Sequence, residues 1–169
     1  MKLLLVIDMQ NDFIDGALGT PEALAVVPAV TERIRTWEGA LAATMDTHGP
    51  DYLSTQEGRN LPVVHCVRGT EGWQLQPGIA EALGDAPVFE KPAFGSVALA
   101  EYLRTLPDLE EVRLVGLCTD ICVVSNALLV KAFLPETPVF VEAACCAGVT
   151  PERHLAALET MRACQIRVV

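Results

Sequence analysis

Short apolar runs recur along this chain with helix-length segments between them, and that alternation constrains the fold more than any other feature. Leu3 to Ile7 is uninterrupted, the signature of a strand buried on both faces. Ala40 to Met45, Leu61 to Val64, Pro87 to Glu90, Val112 to Leu117, Val139 to Glu142 and Ile166 to Val169 read as further strands. Helices are expected from Pro21 to about Trp37, from about Ser96 to Leu106, from Val123 to Phe133, and from Pro151 through Cys164. Strands alternating with helices form parallel βαβ units, so the expected class is α/β: three α/β/α layers around a mainly parallel six-stranded sheet. No repeat or linker interrupts the pattern, which makes residues 1–169 one domain.

Such sheets gather functional groups at the carboxyl ends of their strands, around the point where strand order reverses. Here the runs end in Asp8, in Asp46 with His48, in His65, in Lys91, and in the turn leading to Cys122. Two acids, two histidines, a lysine and a cysteine on one rim are hard to explain by packing. The net charge of −10 argues against nucleic acid or an anionic membrane as partner. Met1 to Ile7 is too short for a signal peptide and runs straight into Asp8, so a soluble, cytoplasmic protein is expected. The six cysteines then read as thiols, with no Cys-x-x-Cys pair to suggest a zinc knuckle.

Gly116 allows a tight turn after the strand, and Thr119 or Asp120 can cap the helix that follows. Cys122 is thereby expected near a helix N-terminus, where free N–H groups and the helix dipole lower a thiol pKa and can hold an oxyanion. The alternative is a small buried apolar cysteine. A cysteine nucleophile needs a base, and no histidine lies nearby in sequence, so Asp8 is the natural candidate. Lys91 beside the pair would hold Asp8 ionised and favour the thiolate.

Asp46 and His48 can point the same way, because side chains along a strand alternate with period two. His65 ends what should be the neighbouring strand, and Glu57 lies on the connection. Two imidazoles and two carboxylates suit zinc, manganese or iron, with room left for water or substrate.

The segments Asp8-Met-Gln-Asn-Asp-Phe13, Lys91, and Gly116-Leu-Cys-Thr-Asp-Ile-Cys122-Val resemble the cysteine hydrolases of the isochorismatase-like superfamily along the whole chain. The resemblance implies a Rossmann-like hydrolase fold and a triad of Asp8, Lys91 and Cys122. It also implies a cis peptide between Leu117 and Cys118 that aims the backbone N–H groups of Cys118 and Cys122 at an oxyanion. Asp46-Thr-His48 and His65-Cys-Val-Arg-Gly-Thr70-Glu-Gly resemble the metal segments of nicotinamidases and pyrazinamidases, with Glu57 in the place of a completing glutamate. The implied reaction is hydrolysis of a small carboxamide, foremost nicotinamide to nicotinate and ammonia, through a thioester on Cys122. One divalent transition metal, zinc foremost, would hold the pyridine nitrogen, Phe13 would pack on the ring, and a homo-oligomer is expected.

The chain departs from that pattern at Pro62, where many nicotinamidases carry an aromatic residue; Trp73 and Phe94 are the candidate replacements. Three rival readings stand beside it. A metal-free amidase for N-carbamoyl or ureido compounds leaves the donor set without a role, and an isochorismatase-type vinyl-ether hydrolase generally lacks the cysteine. A non-catalytic binding protein has no use for an intact triad.

Overall fold

The computed structural model describes residues 1–169. Six strands form one sheet: β1 (Lys2–Ile7), β2 (Ala40–Asp46), β3 (Val88–Lys91), β4 (Glu111–Leu117), β5 (Val139–Ala147) and β6 (Arg167–Val168). Their order is β3-β2-β1-β4-β5-β6, and every neighbouring pair is parallel. The chain starts in the middle and winds outward in both directions, so strand order reverses between β1 and β4. The helices are α1 (Asn11–Ile14), α2 (Pro21–Arg35), α3 (Gln56–Asn60), α4 (Pro77–Leu83), α5 (Val97–Thr105), α6 (Val124–Phe133) and α7 (Pro151–Ala163).

The uninterrupted run of β1 is explained by its two faces. Leu3, Leu5 and Ile7 join a core with Leu99 and Leu103 of α5, Val130 of α6 and Met161 of α7. Leu4 and Val6 join a second core with Val30 and Ile34 of α2 and Ile79 of α4. These five apolar side chains of β1 are all buried, which stabilises the centre of the sheet by roughly 1.5–3 kcal/mol each. None of the helices is long and apolar enough to cross a membrane.

Two strand expectations need correction. Leu61 to Val64 is not a strand: Pro62 has no N–H to give a ladder, and β3 takes the edge of β2 instead. That segment touches the sheet only beyond its end, through a bridge between His48 and Val67. Conversely, β5 runs past Glu142 to Ala147, because a register shift in β4 between Leu114 and Gly116 brings Gly116 opposite Cys146. Only glycine fits at that shift. Gly116 has φ of 120°, and a Cβ there would lie 2.1 Å from the Ile7 carbonyl oxygen.

Candidate active site

The ends of β1, β3 and β4 converge where strand order reverses. Asp8 leaves β1 with φ of 47° and turns its carboxylate inward, fully buried. Its Oδ1 accepts from Thr44 Oγ1 at 2.7 Å. Its Oδ2 lies 2.7 Å from Lys91 Nζ but accepts no well-formed hydrogen bond, which leaves it free to take a proton. Lys91, also buried, donates to Asp46 Oδ1 at 3.3 Å, to the Ala93 carbonyl at 3.1 Å and to Cys122 Sγ at 3.3 Å. Asp8, Lys91 and Cys122, some thirty or more residues apart from one another in the chain, form one buried cluster.

Burial pushes the Asp8 carboxyl above its ordinary range, outweighing the pull of Lys91. Burial likewise pushes the Cys122 thiol well up; the Asp8 charge adds to this, and Lys91 opposes it. Burial alone would lower Lys91, but Asp8, Cys122 and Asp46 together raise it, so the ammonium stays charged. This corrects the expectation of an acidic thiol at a helix start. Cys122 sits inside a buried π-helical turn, Thr119–Val123, where desolvation and the neighbouring carboxylate dominate. Neither Thr119 nor Asp120 caps the helix. Thr119 Oγ1 pairs with His154 Nδ1 at 2.8 Å, and Asp120 Oδ1 accepts from Val149 N–H at 3.0 Å, which ties the turn to the start of α7. The Leu117–Cys118 peptide is cis. The Cys118 carbonyl accepts from the N–H groups of Ile121 and Val123, while the Cys118 N–H donates to no group of the chain.

Beside the triad, one donor atom each from Asp46, His48, Glu57 and His65 falls within 4.8 Å of all the others. Asp46 Oδ2 is 2.8 Å from His48 Nε2 and 3.5 Å from His65 Nε2; Glu57 Oε1 is 3.7 Å from both imidazoles. His65 Nδ1 donates to the Val63 carbonyl at 2.8 Å, so in the neutral ring the Nε2 lone pair faces the cluster. Burial raises the Glu57 pKa, and Asp46 adds to it. Burial pulls the His65 pKa down, but its bonds to Asp46 and the Val63 carbonyl, with the Asp46 and Glu57 charges, together raise it. The oxygen and imidazole donors of the cluster fit a divalent transition metal.

A cavity of about 50 Å³ joins the two groups, with Phe13, His65, Glu57, Cys118 and Cys122 in its wall. Phe94, Leu61 and Ile121 line both this cavity and a wider outer one of about 560 Å³. Phe13 packs on His65 with ring centroids 5.6 Å apart. Of the two aromatic candidates, Phe94 lines the pocket; Trp73 instead donates its indole N–H to Thr47 Oγ1 at 2.9 Å.

Residues 2–169 match the isochorismatase domain family. The chain belongs to the isochorismatase family. Among curated proteins, the nicotinamidase/pyrazinamidase of Mycobacterium tuberculosis is 30% identical over 196 aligned residues, covering 100% of this chain and 98% of that one. The nicotinamidase of Escherichia coli is 30% identical over 72% of each chain. Among solved structures, the pyrazinamidase of Pyrococcus horikoshii in complex with zinc superposes with a TM-score of 0.83 at 30% identity, covering 99% of this chain and 98% of that one.

This member of the isochorismatase family also uses residues that its sequence did not single out. Gln10 accepts from Asp46 N–H at 2.7 Å and donates to the carbonyls of Asp46 and Trp73, fixing the end of β2. Asp12 Oδ2 accepts from Cys66 N–H at 2.8 Å and anchors the His65 loop. Tyr52 packs behind both imidazoles, with centroids 4.7 Å from His48 and 4.9 Å from His65. Glycine at position 58 lets α3 press Glu57 inward, since a Cβ there would lie 2.0 Å from the Tyr52 carbonyl oxygen. Gln10 and Asp12 lie inside the Asp8–Phe13 segment that carries the family resemblance, which was their available signal, and nothing in sequence marked Tyr52.

Proposed function

We propose that this protein is a cysteine amidohydrolase that converts nicotinamide to nicotinate and ammonia through a thioester on Cys122. The observation that carries the reading is one cavity with Cys122 in its wall opposite Asp46, Glu57 and His65, where Cys122 is backed by Lys91 and Asp8 and the donor set is completed by His48. The relatives named above as nicotinamidases and pyrazinamidases support the substrate class.

Cys122 attacks the carboxamide carbon while its proton passes to Asp8 Oδ2, the lone pair left open beside Lys91. The raised Asp8 pKa makes that carboxylate a stronger base than an ordinary aspartate, which suits a thiol that is neutral at rest. Lys91 offsets the negative charge of the thiolate as it forms. The backbone N–H groups of Cys118 and Cys122 stabilise the oxyanion. Asp8 returns the proton to nitrogen, the C–N bond breaks, and ammonia leaves. Water then attacks the thioester, giving its proton to Asp8, and nicotinate departs as Cys122 regains a proton.

Asp46, His48, Glu57 and His65 would hold one divalent metal, zinc foremost, which when bound supplies a Lewis-acid contact for the ring nitrogen. The zinc complex of the Pyrococcus horikoshii structure and the mixed oxygen–imidazole donors support that choice. Phe13 and Phe94 flank the ring, and their contacts orient its amide towards Cys122.

The test is ammonia release from a panel of carboxamides that includes nicotinamide and pyrazinamide, run beside metal analysis of the purified protein. Turnover of nicotinamide with about one bound divalent metal is expected. Turnover of ureido or N-carbamoyl compounds alone, by protein that takes up no metal, would overturn the reading.

A further inference from the structure

Helix α6 is apolar nearly all round, yet its buried face carries one carboxamide. Asn126 is 1% exposed and uses both ends of its side chain. Oδ1 accepts from Ser96 N–H at 2.9 Å, and Nδ2 donates to the carbonyls of Phe94 at 3.0 Å and Cys122 at 2.8 Å. Ser96 and Phe94 lie on the loop that leaves β3 after Lys91, whereas Cys122 is the nucleophile proposed above. On that loop the Ala93 carbonyl holds Lys91 Nζ at 3.1 Å, and Nζ reaches back to Cys122 Sγ at 3.3 Å. The contacts close a ring from the Cys122 carbonyl through Asn126, the loop and Lys91 to the Cys122 sulfur.

We propose that Asn126 is a positioning residue, which fixes the lysine loop against the nucleophile turn and so sets the Lys91–Cys122 separation. The inference rests on the reading of Cys122 as nucleophile. No backbone hydrogen bond joins residues 92–96 to residues 118–123, so apart from the Lys91 bridge itself the polar connection between the two segments runs through Asn126. A buried amide left unpaired is destabilising, a penalty that a leucine of similar volume would avoid. The amide is offset here only because it satisfies one N–H and two carbonyls on separate segments. Reacting groups displaced by an ångström lose on the order of 100-fold in rate.

The test compares wild type with Asn126→Leu, which removes all three bonds, and Asn126→Thr. A threonine hydroxyl can donate to the carbonyl four residues earlier, here that of Cys122, but cannot reach the loop. Each protein is assayed for kcat and KM on nicotinamide and for the rate of Cys122 alkylation by iodoacetamide. For Asn126→Thr, kcat is expected to fall about tenfold with KM within about threefold, and alkylation to slow about tenfold as Lys91 drifts from the sulfur. Asn126→Leu should lose about 100-fold in kcat; if it does not fold, the threonine variant carries the test. A folded Asn126→Thr with kcat within twofold of wild type overturns the proposal. So does a fall in kcat with alkylation unchanged, since the loss would then lie outside the lysine–sulfur pair. If wild type hydrolyses no carboxamide, the functional reading fails on its own. Alkylation still decides the role of Asn126, and equal rates in all three proteins would overturn it.

Discussion

Asp8, Lys91 and the Cys122 turn stand on the ends of β1, β3 and β4, whereas Glu57 and His65, half of the metal-donor cluster, ride on segments outside the sheet. The first group is sealed, with Asp8 and Lys91 side chains fully buried; in the second, Glu57 keeps 20% of its side-chain surface in contact with solvent. Charge balance differs in the same sense. Lys91 sits between Asp8 and Asp46 and compensates both, whereas Glu57 has only the two imidazoles beside it. One half of the pocket carries its own counter-charge and the other offers a donor set that could hold a cation. Asp46 is the hinge between them, touching Lys91 through Oδ1 and His48 through Oδ2. In the proposed reaction, bond breaking and the holding of the ring therefore fall to separable halves of the site.

The largest effect should come from the sealed half. Cys122→Ala and Asp8→Asn should each lower amide hydrolysis by about 1,000-fold or more, since one removes the nucleophile and the other its proton acceptor. Circular dichroism should show both folded. More than one-tenth of wild-type turnover in either would remove that residue from the chemistry.

The completed half should give a smaller and selective loss. His48→Ala, or chelation of the wild type, should lower nicotinamide hydrolysis about 10- to 100-fold by releasing the ring. Alkylation of Cys122 by iodoacetamide should stay within twofold. Equal losses in both assays would mean that the cluster supports the triad structurally and that the two halves are one.

The smallest effect separates the two aromatic candidates. Phe94→Ala should raise KM for nicotinamide about fivefold with little change in kcat, the equivalent of about 1 kcal/mol of ring contact. Trp73→Phe loses a hydrogen bond to Thr47 outside the pocket and should leave KM unchanged. The reverse pattern would put the substrate ring on the other side of the site.

The same division governs how much was legible in the sequence. Asp8 was readable because a doubly buried strand writes itself as an unbroken apolar run whose first polar residue marks the rim; Asp46 and Lys91 follow less cleanly, since Thr44 and Glu90 precede them in their runs. Their positions came from local pattern alone. His65 was placed on the rim for the wrong reason, since Leu61 to Val64 is apolar without being a strand, and its edge partner already belongs to β3. The extension of β5 through small residues to Ala147 depended on the shift at Gly116, a long-range pairing that no local window contains. Thr119 and Asp120 carried a cap signal, but their partners His154 and Val149 arrive from some thirty residues later. The thiol was expected to be acidic from the dipole, and burial reversed the sign. Asn126 and Tyr52 were silent because a lone amide or phenol in sequence says nothing about what it will be buried against.

The account turns on a single acyl-enzyme at Cys122, and partitioning with hydroxylamine tests it most directly. Nicotinamide and methyl nicotinate would be turned over separately in the presence of hydroxylamine, and the ratio of nicotinohydroxamate to nicotinate measured for each. Both substrates pass through the same thioester, so the two ratios should be equal and rise together with hydroxylamine concentration. Cys122→Ala should form no hydroxamate. Ratios that differ between amide and ester, or hydroxamate formed without the cysteine, would contradict it.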